Sequence, residues 1–180
     1  ATALVGLVAA TGLALPLAAQ EVPASVDEVA RPGGQLPGDP QIALVKIADG
    51  FFDPIGVASA GDGSGRIFVV ERVGRVQVVD AEGNRQDQPF LDLTNINPLG
   101  NDVQTGFVEQ GLYSIAFHPN FSENGHVFVH YASLPFNGDG MIVRFTVDPD
   151  NPDFLTPERT NETAKVIMRI EQPWYNHNGG

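Results

Sequence analysis

The sequence predicts an all-β fold built from propeller blades. Short apolar runs alternate with clusters of Gly, Asn, Asp and Pro, the pattern of strands joined by turns. A unit of four such runs occurs twice, at a period of about 60 residues. No stretch shows helical periodicity over three or more turns. Together these observations favour a repeated four-stranded meander.

The first unit contains four strand-like runs, separated by a glycine-rich turn at residues 61–65 and a second turn at Gly74. Its predicted strands are residues 55–58, 66–71, 75–80 and 90–93. The second unit has the same order, with turns predicted at residues 119–125 and 137–140. Its predicted strands are residues 112–117, 126–132, 141–147 and 165–170.

The register of the two units supports a repeat. Residues 66–70 (Arg-Ile-Phe-Val-Val) match residues 126–130 (His-Val-Phe-Val-His) with a shift of 60, and later strands shift further because the second unit has longer loops. The inner strands are apolar nearly throughout, which predicts burial on both faces. A meander that is buried inside and repeated is the pattern of a propeller blade; a β-sandwich is the alternative.

Two blades cannot close a ring, because propellers typically have about 4 to 8 blades. We therefore expect further blades after residue 180. Residues 42–47 (Ile-Ala-Leu-Val-Lys-Ile) precede the first unit and are expected to form an outermost strand that closes the ring against the last blade.

The N-terminal region divides into two segments. Residues 1–19 are uncharged, mostly small or apolar, and end in Leu17-Ala18-Ala19, which predicts a truncated signal peptide and export to the periplasm or medium. A buried apolar helix is the alternative. Residues 20–40 are rich in Pro and Gly and are expected to be a disordered linker. Residues 41–180 then form the N-terminal part of the propeller.

Charge and composition exclude several classes of function. The chain has 22 acidic and 10 basic residues and a net charge of -12, which disfavours binding to nucleic acid or to anionic membranes. We expect no membrane insertion of the mature chain. The chain has no cysteine, which excludes disulfides, zinc-thiolate sites and a cysteine nucleophile.

Polar residues lie in the loops that lead into the innermost strands, and in a propeller these loops converge at the central channel. They are Asp53, then Glu109 and Gln110, then His177 within Asn-His-Asn-Gly-Gly. Convergent polar groups on a rigid scaffold make a pocket, and an imidazole transfers protons near neutral pH. Simpler roles remain open: Asp53 as a turn residue, Glu109 as a solvated side chain, His177 as a structural residue.

Three motifs in order resemble the glucose/sorbosone dehydrogenase family, whose members are aldose dehydrogenases dependent on pyrroloquinoline quinone (PQQ). They are residues 65–76 (from GRIFVVER to GRV), residues 109–121 (from EQGL to AFHPNF) and residues 176–180 (NHNGG). The resemblance covers residues 41–180 and implies a six-bladed β-propeller, of which this chain supplies about the first two blades. It also implies export, calcium and an external electron acceptor.

The resemblance implies roles for three residues. His177 corresponds to the general base that takes the proton from a sugar hydroxyl while hydride passes to PQQ. Glu109 and Gln110 correspond to positions beside the cofactor, although well-studied members have glutamine where this chain has Glu109. The family's calcium ligands and cofactor-binding arginines are expected beyond Gly180, so this chain alone is expected to be inactive.

Two other functions remain open on this sequence. One is a non-catalytic binding module with the same fold, resembling the hedgehog-interacting type. The other is a metal-dependent lactonase on a six-bladed propeller, which fits less well because such enzymes rely on acidic ligands around the axis. Fold alone does not choose between them.

Overall fold

The structure is a computed structural model that describes residues 44–94, 103–107, 109–134, 138–148, 150–174 and 176–178. These residues form two four-stranded antiparallel sheets, each with its strands in sequence order. The predicted pair of all-β meanders is confirmed. The predicted signal peptide at residues 1–19 and linker at residues 20–40 lie outside the described residues.

The first sheet follows its predicted strands to within two residues. Its strands are β1 (Pro54–Ser59), β2 (Ile67–Glu71), β3 (Arg75–Val79) and β4 (Leu91–Asp92). Gly74 makes the turn between β2 and β3, and its amide donates a hydrogen bond to the Glu71 carbonyl (3.0 Å).

The second sheet follows its predicted strands almost as closely. Its strands are β5 (Leu112–Phe117), β6 (His126–Ser133), β7 (Asp139–Thr146) and β8 (Lys165–Ile170). The turn predicted for residues 137–140 is wrong at Asp139 and Gly140, which pair with Ser133 and Ala132 as part of β7. The Asp139 carboxylate is held by Arg169 Nε (2.7 Å) and by the Gln172 amide (2.8 Å), and these bonds fix the start of β7 against the end of β8.

The two sheets are structural repeats, and their pairing confirms the predicted register. Ile67 pairs with Ser59 in the first sheet, and Val127, 60 residues later, pairs with Phe117 in the second. Both innermost strands also carry an irregularity in register at their second residue, next to Pro54 in β1 and next to Leu112 in β5. The sequence did not predict this shared bulge.

Two short helices interrupt the strands. Helix α1 (Phe121–Asn124) occupies the predicted turn at residues 119–125, and helix α2 (Pro157–Thr163) leads into β8. Helix α2 was not predicted from the sequence, although its start has clear signals. Thr156 Oγ1 accepts a hydrogen bond from the Arg159 amide (3.1 Å), and proline follows at the first helical position, where its missing N–H costs nothing.

The hydrophobic core lies between the two sheets and joins them. Phe68 of β2 has its ring centroid 4.5 Å from that of Phe117 of β5 and 4.9 Å from that of Phe90. The same buried cluster contains Val70, Val76, Leu91, Leu112, Val127, Val129, Val143 and Phe145. Burial of such side chains is the main stabilising term, roughly 1.5–3 kcal/mol for each.

Burial of β1 on both faces was expected, and this prediction is wrong for the described residues. Ile55 is 45% and Val57 71% exposed, because their face has no second sheet against it among the described residues. The strand predicted at residues 42–47 stays a prediction, because its expected partner is the last blade. Residues 42–43 lie outside the described residues, and residues 44–47 have no strand beside them among those described.

Candidate active site

The candidate site lies where β1 and β5 begin. Asp53, the residue before β1, has a positive φ of 52°, and its carbonyl accepts the amide hydrogen of Arg72 (3.0 Å). The equivalent bond in the second sheet joins the Ala132 amide to the Gly111 carbonyl (2.8 Å). The start of each innermost strand is therefore anchored to the end of its neighbour in the same way.

Arg72 joins the first of these loops to the second. Its Nε lies 2.6 Å from Asp53 Oδ2, and its Nη1 donates to the Gln110 carbonyl at 2.8 Å. The planar guanidinium can serve two acceptors at once because its donors have fixed directions. Sequence reasoning did not identify Arg72, whose role depends on partners 19 and 38 residues away.

Gly111 allows the second loop to lie against the first. Its φ is 155°, and a Cβ at this position would overlap the backbone oxygen of Arg72. The Leu112 amide donates to that same oxygen at 2.9 Å. A side chain at residue 111 would push the loop carrying Glu109 away from Arg72.

Glu109 holds the third segment through His177. Its Oε2 accepts the backbone amide hydrogen of His177 at 2.5 Å and lies 3.6 Å from the imidazole Nδ1. His177 has a positive φ of 58°, a conformation that costs a non-glycine residue free energy and persists only when its surroundings hold it. The side chain of His177 is 84% exposed and that of Glu109 is 41% exposed. Both therefore face solvent, and this solvent-facing side is called the open side of the site.

Asn178 anchors the segment that contains His177 on its buried side. It is 1% exposed, and its Nδ2 donates to the Gly138 carbonyl at 3.0 Å, while its buried Oδ1 has no hydrogen-bond partner among the described residues. Gln110 is also buried, and a Cβ on Gly138 would overlap its Nε2. His177 is therefore held between a carboxylate at its own amide and a buried asparagine.

Tyr113, near Glu109, and its neighbour His130 stay neutral. Burial first, and the Glu109 charge second, raise the pKa of Tyr113 to about 12. The ring of Tyr113 lies 4.9 Å from that of His130, and burial lowers the pKa of His130. Neither adds charge to the site near neutral pH.

The structure brings two of the predicted site residues into contact and places the others differently. Glu109 and His177, 68 residues apart, are hydrogen-bonded, and Asp53 is joined to their loop through Arg72. The Gln110 side chain points into the protein beside Gly138. The roles assigned to His177, Glu109 and Gln110 stay predictions.

Within the described residues there is no group of three or more His, Cys, Asp or Glu side chains placed to hold a metal ion. In the same part of the chain, no helix has the length and apolar character needed to cross a membrane.

The sequence profile described as Glucose / Sorbosone dehydrogenase matches residues 51–179. The chain is 31% identical over 147 residues to human Hedgehog-interacting protein, an alignment that covers 76% of this chain and 20% of that protein. It is 30% identical over 149 residues to the mouse protein, with 77% and 20% covered. The chain thus spans about one fifth of the length of these curated relatives.

Solved structures show the same fold. One described as the crystal structure of glucose dehydrogenase superposes with a TM-score of 0.55 at 17% identity, over 76% of this chain and 35% of that one. Another glucose dehydrogenase gives 0.52 at 16% identity, over 73% and 36%. The predicted fold class, a six-bladed β-propeller of which this chain supplies about two blades, is confirmed.

Proposed function

Because the chain belongs to the glucose/sorbosone dehydrogenase family, we propose that it is part of an exported oxidoreductase that oxidises an aldose or a related sugar alcohol group. In this proposal His177 is the general base and PQQ is the hydride acceptor. Residues 1–19 are the signal peptide and residues 20–40 the linker before the propeller. Sequencing of the exported protein would then start at Gln20.

One observation carries the proposal: His177 is an exposed imidazole held in a left-handed backbone conformation. A structural histidine is usually buried against neighbours that satisfy its ring. Here the ring faces the open side, and the neighbours fix the backbone instead, through Glu109 and Asn178. Strained backbone around an exposed proton-transfer group is typical of active sites.

The chemistry requires that a proton and a hydride leave the substrate together. A neutral imidazole accepts the proton of the anomeric hydroxyl, the C1–H hydrogen leaves with its electron pair, and the sugar becomes a lactone. PQQ would supply the hydride acceptor when bound. The residues of this chain hold the base in place, through the bond of Glu109 to the His177 amide and the bond of Asn178 to Gly138. The exposed Trp174, three residues before His177, offers a flat face on which a sugar ring can stack.

The described residues do not by themselves fit the cofactor. PQQ is anionic, whereas this site presents the carboxylates of Asp53 and Glu109, and Arg72 is already committed to Asp53 and the Gln110 carbonyl. A carboxylate beside an anion is repelled unless a cation screens it. We therefore assign no step to Glu109 or Gln110 through the cofactor, and we place calcium and the cofactor-binding arginines beyond Gly180.

A binding module is the second candidate. The human relative at 31% identity is named for interacting with Hedgehog, and the propeller can present a binding surface without redox chemistry. The Glu109 carboxylate, whose side chain is 41% exposed, suits a cationic partner group as well as a neutral sugar.

Dye reduction by the purified full-length protein separates the two functions. The protein is stripped with a chelator, reloaded with PQQ and calcium, and assayed with a panel of aldoses. We expect sugar-dependent dye reduction that requires both additions. A protein that binds PQQ with no sugar-dependent turnover, or that binds no PQQ, would contradict the dehydrogenase proposal and favour the binding module.

A further inference from the structure

The contact between Glu109 and His177 suggests a function for Glu109 that differs from cofactor binding. One oxygen, Oε2, lies 2.5 Å from the backbone nitrogen of His177 and 3.6 Å from its Nδ1. The carboxylate thus lies beside Nδ1, and Nε2 is on the opposite edge of a ring whose side chain is 84% exposed. A hydrogen bond on one ring nitrogen decides which nitrogen carries the proton.

We propose that Glu109 is a positioning residue that keeps His177 in the tautomer with hydrogen on Nδ1, so that Nε2 is the proton acceptor. This inference rests on the proposed function. The 3.6 Å separation is longer than a hydrogen bond, but catalytic hydrogen bonds are often long in unliganded proteins and shorten in the reacting complex.

The surroundings of the pair support this assignment. Tyr113 is neutral, with its pKa raised to about 12 by burial and by the Glu109 charge. The guanidinium of Arg72 is bound to Asp53 and to the Gln110 carbonyl. Among the described residues, Glu109 is the carboxylate that faces the His177 ring, its Oε2 lying 3.6 Å from Nδ1.

Glu109→Leu tests the inference because it removes the carboxylate oxygen from beside Nδ1. Without an acceptor at that position, a neutral imidazole favours the tautomer with hydrogen on Nε2, which leaves no acceptor toward the substrate. Glu109→Asp keeps the carboxylate and should retain the wild-type tautomer. Glu123→Leu, at an exposed carboxylate on α1, is the matched control.

The primary readout is the nitrogen NMR spectrum of the His177 imidazole in the full-length protein without cofactor. We expect hydrogen on Nδ1 in the wild type, in Glu109→Asp and in Glu123→Leu, and on Nε2 in Glu109→Leu. In the loaded enzyme, kcat of Glu109→Leu should fall about 10- to 100-fold, as for other carboxylates that orient histidines. KM should change far less.

The spectrum separates this inference from the proposed function. If no sugar is oxidised but the tautomer changes with Glu109→Leu, the dehydrogenase proposal fails and the positioning role stands. If the wild type and Glu109→Leu share one tautomer, or if kcat is unchanged in Glu109→Leu, the positioning role is overturned.

Discussion

Arg72 forms a short ion pair with Asp53, its Nε lying 2.6 Å from Oδ2. The same guanidinium donates to the backbone oxygen of Gln110, in the loop before β5. Because the core contact between the sheets is apolar and non-directional, this polar bridge, together with the bond from the Leu112 amide to the Arg72 carbonyl, fixes the loop of Glu109 relative to the start of β1.

Replacement of Arg72 should therefore loosen the site more than the core. We expect Arg72→Met to lower the free energy of unfolding of the full-length protein by about 1–2 kcal/mol, a partly exposed charged hydrogen bond being weaker than a buried one. Arg72→Lys should not restore it, because lysine lacks the forked donors. Urea titration checks this, with Lys46→Met of the exposed Lys46–Asp49 pair as control. An Arg72→Met protein as stable as the wild type would refute the bridge.

A substitution at Gly125 tests how closely the end of α1 approaches the end of β7. Gly125 caps α1 with φ 62°, and a Cβ there would overlap the Val147 carbonyl oxygen, whereas Gly61 has φ 67° and open space around it. Gly61→Ala should cost about 1–2 kcal/mol from the left-handed backbone alone. Gly125→Ala should cost about 1–3 kcal/mol more, through overpacking. Equal unfolding midpoints for the two variants would contradict the close approach.

The sheets could be predicted from the sequence because their signals are local. Glycine turns separate the apolar runs, and the 60-residue offset between Ile67 and Val127 is visible in the letters. Helix α2 was missed because it has only seven residues, too few for a periodicity test, although Thr156-Pro157 marks its start. The exposed face of β1 was missed because burial depends on what packs against a strand, which its own sequence does not state.

The site was predicted only as a convergence of loops. That His177 and Glu109 lie together follows from the propeller topology. That Glu109 bonds the His177 backbone, or that Arg72 bridges Asp53 and Gln110, depends on rotamers and on pairs 68, 19 and 38 residues apart. The inward orientation of Gln110 was equally invisible, since it depends on the absence of a side chain at Gly138.

Strand β8 should make the isolated 180-residue chain self-associate. All six of its residues are exposed, among them the apolar Val166, Ile167 and Met168, and an exposed apolar edge strand is a template for pairing between chains. Met168→Lys should reduce concentration-dependent light scattering, whereas Leu134→Lys, at a residue 48% exposed against 52% for Met168, should not. The isolated chain should also show no dye reduction. Equal effects of the two substitutions would refute β8 as the associating edge.

The role of His177 as the base is the central claim, and His177→Gln tests it most directly in the full-length protein. Glutamine keeps much of the size and hydrogen bonding of histidine but cannot accept a proton near neutral pH. The measurement is steady-state aldose oxidation by the variant, with a PQQ titration of the same preparation. We predict that kcat falls about 10²- to 10⁴-fold, the usual contribution of a positioned base, while PQQ affinity changes far less. Turnover near the wild-type value would contradict the account and leave His177 as a structural residue of a binding propeller.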